Sequence, residues 1–328
     1  MPELRTLEVV NKFIQSPSNG LRTKTSVVTY REYLQALANR PIKDWTVDDL
    51  AELATKPCLT GARKGLEPAP KTIKTRVSML SAFFSWVQWK DYRKDDPARH
   101  LRRLRNCNPI QTPVETHNWL TKEEVQSILD AVNMDDIIER RDNLILRLGF
   151  TTGLRRQEIC NVKWGDVDFE KNQLSLKGKG DKLSIVHLSE SLREALLNWK
   201  AEAVADLGRD PKPSENILVQ IKKAPLPKRA DGSFDVNDWQ LIARWDGPAI
   251  HGNSLGKRIT FHSERCGIKF KPHDMRRSFA GMLSDSGAQI QNVQKAMRHE
   301  SESMTQHYLQ KRPDDTARAQ AEIGLDFD

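Results

Sequence analysis

The stretch "CNPIQTPVETHN", residues 107–118, holds two prolines and no apolar period, and it separates two regions that both show helical rhythm. Proline lacks the backbone N–H and pushes the residue before it out of helical conformation. No helix runs through such a stretch, so the chain must fold as two parts joined by a linker. The length of 328 residues agrees with two domains. The expected division is a helical domain over 1–107, a linker over 108–118, a second domain over 119–312 and a tail over 313–328.

The first part reads as helices. In "TIKTRVSMLSAFFSWV", Ile73, Val77, Leu80, Phe84 and Val87 recur with a period near 3.6. "TSVVTYREYLQAL" turns Val27, Tyr30, Leu34 and Leu37 to one side, and "TVDDLAEL" starts at Thr46, a good N-cap. Charge is unevenly placed. Up to residue 118 there are 20 lysines and arginines against 12 acidic residues, a surplus of eight. The rest of the chain has 32 of each, so the whole net charge of +8 sits in the first third. A basic block on a folded domain fits a polyanionic partner. Lys71, Lys74 and Ser78 lie on the polar side of the long helix, with Ser81 and Ser85 beyond them. Small hydroxyls and lysines on one stripe let a helix approach a phosphate backbone. Arg102, Arg103 and Arg105, with Arg99 before them, make a second strip just ahead of the linker.

The second part opens with "LTKEEVQSIL", where Thr121 and Glu124 form a capping box. It is mostly helical. "NQLSLKGKGDKLSIVHLS" alternates Leu174 and Leu176, then Leu183 and Ile185, around a glycine-rich turn, which is a β-hairpin. "DVNDWQLIARWDGPAIHGNSLGKRI" starts like a loop and resists assignment. The fold class is therefore mainly α with a small antiparallel β-sheet. Apolar residues make up 38% and charged residues 29%, a globular balance, and no run of 18 apolar residues predicts a membrane span. "MPELRTLEVV" lacks an export signal. Cys58, Cys107, Cys160 and Cys266 form no CxxC pair, which implies neither zinc nor a disulfide framework and fits a reduced, cytoplasmic setting.

Four stretches carry chemistry: "TTGLRRQEIC", "LKGKGDKL", "KPHDMRRSFAG" and "MRHESESMTQHYLQ". They supply arginines, lysines, histidines and one tyrosine. No acidic pair stands at metal-ligand spacing and no glycine-rich nucleotide loop appears. Such a basic set with one phenol suits attack on a phosphodiester. Arginine stays cationic and forks onto two phosphate oxygens. Two arginines offset charge building on phosphorus. A tyrosine can form a covalent phosphotyrosine, a lysine can protonate the leaving oxygen, and histidines can donate to phosphate oxygens or accept the phenolic proton. Taken singly, each has a plainer use. Arg155 and its neighbour Arg156 could sit on a solvated helix, Glu158 could pair with Arg155 on the surface, His273 could flank a helix cap, and Tyr308 could pack in a core.

In order, these stretches resemble the boxes of the tyrosine recombinases, or phage integrases. The resemblance is strong over residues 119–312, and covers the first part only as that family's helical, SAM-like core-binding domain. It implies a C-shaped clamp on DNA with a mixed α/β catalytic domain. "TGLRRQE" matches the first box and implies catalytic Arg155, with Glu158 supporting it. "KGKGDK" matches the lysine turn, where Lys179 is the first choice and Lys177 and Lys182 compete. "HDMRRSFA" implies His273 and Arg276. "MRHESESMTQHY" implies His299 and the nucleophile Tyr308. Two departures stand out. Arg277 occupies a position where the family often has histidine, and "MRH" replaces "LGH", bringing in Arg298; both arginines are candidate DNA contacts.

The resemblance implies strand cutting and rejoining through a 3′-phosphotyrosyl intermediate, with neither metal nor nucleotide cofactor. It implies double-stranded DNA as partner and a homotetramer on two sites; any accessory DNA-bending protein is unknown. The tail around Ala317, Ala321, Ile323 and Leu325 is too short to bury itself and is a candidate for docking on a neighbouring protomer, or folding back in cis. Helical pattern begins almost at once, so no extra N-terminal domain is expected. Two other readings share part of the pattern: a type IB topoisomerase-like enzyme, and a non-catalytic DNA-binding relative. His299 and the tail weigh against the first, and the complete set of catalytic residue types weighs against the second.

Overall fold

A computed structural model describes residues 4–58, 64–109, 119–177, 183–225, 239–299 and 301–309. Most of the linker, the turn with Lys179 and the tail lie outside the described residues, as does the Tyr308 side chain. The chain divides into two compact units, Met1–Glu115 and Thr116–Asp328, and the boundary falls within the proline-bearing stretch.

Unit 1 contains α1 (Thr6–Gln15), α2 (Lys24–Gln35), α3 (Val47–Thr55) and α4 (Pro70–Trp89). Thr46 caps α3 by a reciprocal box: it accepts from Asp49 N at 3.2 Å, while Asp49 accepts from Thr46 N at 2.8 Å. Pro70 sits in the first turn of α4, where a missing N–H costs nothing. Val77, Leu80, Phe84 and Val87 are buried on the α4 stripe the period selects. They meet α1 through Phe13, whose ring lies edge-on to Phe83 at 5.5 Å and to Trp86 at 5.3 Å. The stripe is wider than a simple amphipathic pattern, since Met79, Phe83 and Trp86 are buried too. On the opposite side Lys71 and Ser78 are exposed and Lys74 is half-buried. Arg102 Nη2 reaches Ser78 Oγ at 3.4 Å, so the helix stripe and the arginine strip form one surface. Arg103 and Arg105 are exposed beside it. Ser85 leaves the stripe: its hydroxyl donates to Asp96 at 2.8 Å.

Unit 2 contains α5 (Lys122–Asp130), α6 (Ile137–Thr152), α7 (Arg156–Asn161), β1 (Val167–Asp168), β2 (Gln173–Lys177), β3 (Leu183–His187) and α8 (Glu190–Leu207). After these come β4 (Ile221–Pro225), β5 (Trp239–Ala243), α9 (Gly252–Cys266), α10 (Pro272–Asp285), α11 (Ile290–Met297) and α12 (Glu302–Tyr308). Helix α6 runs through the middle. Leu144, Ile145, Leu146, Leu148 and Phe150 are all buried, which covers every face, and α7, α8, α9 and α10 pack around it. Strands β1, β2 and β3 form an antiparallel sheet in that order, with Leu174 opposite Val186 and Ser175 opposite Ile185.

The structure settles two points that the sequence left open. In β3 the core residue is Val186; Leu183 and Ile185 stand on the outer face, 62% and 54% exposed. An apolar alternation alone does not say which face is inward. The unassigned stretch before the last helices supplies β5, which pairs antiparallel with β4 as a second sheet, and then the start of α9. Among the described residues no helix is long and apolar enough to cross a membrane.

Polar groups also hold unit 2 together. The Asp142 carboxylate on α6 is buried and accepts from Arg258 Nε at 2.5 Å, lies 3.0 Å from His262 Nε2, and pairs with Arg141 Nη2 at 3.3 Å. Burial pushes this carboxyl up, but the hydrogen bonds and cations around it hold it below the usual range. Nearby, Glu139 binds Arg265 at 2.6 Å, a second tie between α6 and α9. Removing the Asp142 charge leaves Arg141 and Arg258 uncompensated. Asp142→Asn is expected to cost about 3 kcal/mol or more in urea unfolding; a loss well under 1 kcal/mol would mean the cluster is not a structural tie.

Candidate active site

The glycine of "TGLRRQE" sets up the site. Gly153 ends α6 in the left-handed region, φ 59°, and a Cβ there would lie 2.3 Å from the Phe279 ring. No other residue fits without displacing α10. Leu154 then drops into the core, fully buried. This throws Arg155 outward as the N-cap of α7, with its side chain 44% exposed. Glu158 sits one turn on. Its carboxylate accepts from the Arg155 backbone N–H at 2.9 Å and from Arg155 Nη1 at 2.8 Å. Glu158 also accepts from Arg298 Nη2 at 2.9 Å. Burial raises the Glu158 carboxyl, and the Arg155 hydrogen bonds with the Arg298 charge more than reverse that.

Arg298 explains the departure from "LGH". It caps α11 in the left-handed region, φ 54° and ψ 44°, a conformation that glycine takes freely and other residues adopt at about 1 kcal/mol. Here the arginine gains an ion pair with Glu158 across 140 positions of sequence. Its side chain is 13% exposed and pairs with the Glu158 carboxylate.

Helix α10 carries "HDMRRSFA". Pro272 opens it, and Asp274 accepts from the Lys271 backbone N–H at 2.9 Å. Arg276 is 1% exposed. Its two terminal nitrogens donate to the carbonyls of Gly153 and Met297. One guanidinium thus joins the turn before Arg155 to the turn before His299. His273, one turn earlier on the same helix, is exposed at its edge. Desolvation, and then the charges of Arg276, Arg156 and Arg277, hold its imidazole below the ordinary histidine range. Arg277 is half-buried. The helix is anchored from outside by Trp119 and Leu120. Leu120 N donates to Ser278 Oγ at 2.9 Å, and Trp119 Nε1 donates to Asp285 at 3.0 Å. Gly281 makes room for that indole, since a Cβ there would lie 2.3 Å from it.

His299 is 8% exposed. Its backbone N donates to Gln294 O at 3.1 Å and its carbonyl accepts from the Gln294 side chain at 3.3 Å. Its Nδ1 lies 2.9 Å from Thr305 Oγ1 on α12. Burial, with Arg276, Arg155 and Arg298 around it, lowers its pKa to about 4, so the ring is neutral at neutral pH. Helix α12 ends at Tyr308 and packs on α10 and α11, with Leu309 against the small core of Ala280, Val293 and Met297.

The described residues thus bring Arg155, Glu158, Arg276, Arg298 and His299 into one connected set. His273 lies within their field, and the backbone of Tyr308 belongs to a helix tied to His299. Lys179 lies outside the described residues, between the ends of β2 and β3. Thr305 was missed from sequence, because a threonine three residues before the tyrosine gives no signal of what it touches.

The chain matches the sequence profile of the phage integrase family over residues 118–314. It is 27% identical over 247 residues to tyrosine recombinase XerC of Syntrophus aciditrophicus, covering 72% of this chain and 68% of that one. It is also 27% identical over 313 residues to XerC of Vibrio parahaemolyticus, covering 93% and 87%. Among solved structures, the fold is similar to that of a lambda integrase dimer bound to a COC′ core site, with TM-score 0.64, 16% identity and coverage of 99% and 98%. The Tn1549 transposon integrase in complex with transposon right end DNA is similar at TM-score 0.62, 19% identity and coverage of 98% and 99%. The profile takes in more than half of the chain, and the chain belongs to the phage integrase family of tyrosine recombinases.

Proposed function

We propose that this site-specific DNA recombinase cuts and rejoins its strands with Tyr308 as nucleophile and Arg155, Arg276, His273, His299 and Lys179 around the scissile phosphate. The observation that carries the assignment is the Arg276 guanidinium bound to both Gly153 and Met297, because it draws the first and last boxes to one point. The phenol gives its proton to a histidine of the site as its oxygen attacks phosphorus, the bond to the 5′ oxygen breaks, and Lys179 protonates that leaving oxygen to give a free 5′-hydroxyl. The 3′-phosphotyrosyl bond keeps the phosphoester energy, so a 5′-hydroxyl of another strand can attack it and release the phenol. Phosphodiester cleavage is slow enough to require rate gains of about 10¹⁷, and stabilisation of charge on phosphorus supplies the largest share. Arg155 and Arg276 are the permanent cations for that task. Glu158 holds Arg155, and Arg298 holds Glu158.

The partner is duplex DNA, gripped in unit 1 by Lys71, Lys74, Ser78, Arg102, Arg103 and Arg105 and in unit 2 with help from Arg277. The shared surface of Ser78 and Arg102 and the +8 charge of the first third support this. The working form is a homotetramer on two sites. Lambda integrase, which shares the fold, has been seen as a tetramer bound to a Holliday junction, and this supports the assembly.

Three outcomes test the reading. On a nicked suicide duplex the parent chain accumulates a covalent adduct, Tyr308→Phe gives none, and Arg155→Ala or Arg276→Ala slows the adduct by about 10²- to 10³-fold; an adduct that persists in Tyr308→Phe puts the nucleophile elsewhere. Replacing Lys71, Lys74, Arg102 and Arg103 with alanine lowers duplex affinity and flattens its dependence on log salt by about 0.9 per lost phosphate contact; an unchanged slope removes the DNA surface from unit 1. The third concerns protons. His299 titrates near 4 in the folded chain against an ordinary 6.5, so between these values the unfolded chain binds the extra proton. Stability therefore falls as pH drops from about 6.5 to about 4 and the loss is complete below that. In urea unfolding over this range, His299→Gln should lose this component of the slope; identical slopes would mean that His299 is not held neutral.

A further inference from the structure

His299 and Thr305 form a buried pair whose role goes beyond the residues assigned above. Thr305 is fully buried and His299 nearly so, and their polar atoms meet at 2.9 Å. A hydroxyl buried without a partner is costly, and threonine is a poor helix former, so the bond to His299 offsets a cost that α12 would otherwise carry. Gln294 already fixes the His299 backbone at both its N–H and its carbonyl. The ring itself also needs a partner that sets its rotation and which nitrogen carries the proton, and the Thr305 hydroxyl meets one of its two nitrogens. A neutral imidazole has one N–H, and the partner of one nitrogen decides the state of the other. A nitrogen that faces a phosphate oxygen must present a proton. A bare lone pair there would repel the anion.

Resting on the assignment of His299 and Tyr308 to the active site, we propose that Thr305 is a positioning residue for strand cleavage. It donates its hydroxyl proton to His299 Nδ1 and so keeps the imidazole in the Nε2–H form that donates to a phosphate oxygen. The donor stands on the helix that ends at the nucleophile, three residues before Tyr308. The histidine is therefore set for phosphate only when that helix is seated, and a protomer whose tyrosine helix has left its place loses both groups at once. Leu309, packed against the Val293 and Met297 core, seats the same helix from its other end.

The tautomer is read directly by two-bond ¹H–¹⁵N correlation on the ¹⁵N-labelled full chain at neutral pH, with His299 assigned by its absence in His299→Gln. The expected result is a protonated Nε2 and an unprotonated, hydrogen-bonded Nδ1; a protonated Nδ1 overturns the proposal. Thr305→Val keeps the shape and removes the hydroxyl, whereas Thr305→Ser keeps the hydroxyl. The valine variant should bind duplex like the parent, show mixed tautomers at His299, and form the covalent adduct roughly 10- to 100-fold more slowly. The serine variant should stay within about threefold of the parent rate. A valine variant at parental rate, or a serine variant as slow as valine, overturns the role. Where the valine variant fails to fold, the parent tautomer and the serine rate decide. A parent chain that forms no adduct on any duplex is a failure of the active-site assignment, and the tautomer measurement still decides between a positioning threonine and a merely packed one.

Discussion

A buried guanidinium organises this site. Arg276 donates to the carbonyls of Gly153 and Met297, which end α6 and α11. Both carbonyls come from last helical turns, where backbone oxygens lack intrahelical partners and the helix dipole is negative. A permanent cation suits that place better than any neutral donor. The consequence reaches both ways along the chain: Arg155 follows one of these turns by two residues, and His299 follows the other by two. The position of α10 therefore fixes the distance between them. Trp119 and Leu120 in turn hold α10, and Gly281 lets them come close.

Each arginine of two separate charge clusters in this unit meets an acceptor. Arg155 and Arg298 share Glu158, and Arg258 and Arg141 share Asp142, about three turns before the end of α6. The two carboxylates differ in use. Asp142 is wholly enclosed and ties α6 to α9, a structural role. Glu158 is partly open and its partner Arg155 is nearly half exposed, so that guanidinium can engage an incoming anion while its base remains held. This is how a site can be preorganised without being closed. The histidines complete the logic. Burial first, and then the surrounding arginines, disfavour a protonated imidazole, so His299 is a neutral hydrogen-bonding group at neutral pH.

Much of this was legible in the sequence, for reasons that can be named. The N-cap at Thr46 and the capping box of Thr121 with Glu124 depend on residues close in sequence, and both form as expected; Asp49 completes a box at Thr46 as well. The apolar stripe of α4 follows from its period. The order of the four chemical stretches could be read without knowing any distance. What was not legible depends on contacts far apart in sequence. The "MRH" departure suggested a DNA contact and said nothing of how its arginine is held. It is a cap in left-handed conformation whose side chain is drawn to Glu158, and nothing near position 298 announces that partner. The inner face of β3 was decided by Val186 and its partner Leu174, not by the larger apolar residues beside it. Strands β4 and β5 are joined by a connection too long for a hairpin signature, so neither strand showed a partner in local sequence.

The same reasoning bears on why "LGH" and "MRH" can serve one fold. Glycine at the end of α11 would leave the turn unstrained, and Glu158 would then answer to Arg155 alone. Arginine adds backbone strain of about 1 kcal/mol and brings in an ion pair with Glu158. The trade moves rigidity from the backbone to the side chains. The turn that presents His299 becomes tied to the helix that presents Arg155 by an ionic bond as well as by the guanidinium of Arg276. Two independent ties across one gap restrict relative rotation as well as separation. Under the function proposed above, a phosphate set between Arg155 and His299 would meet donors whose directions are fixed before it binds, leaving little orientational freedom to lose at the moment of attack.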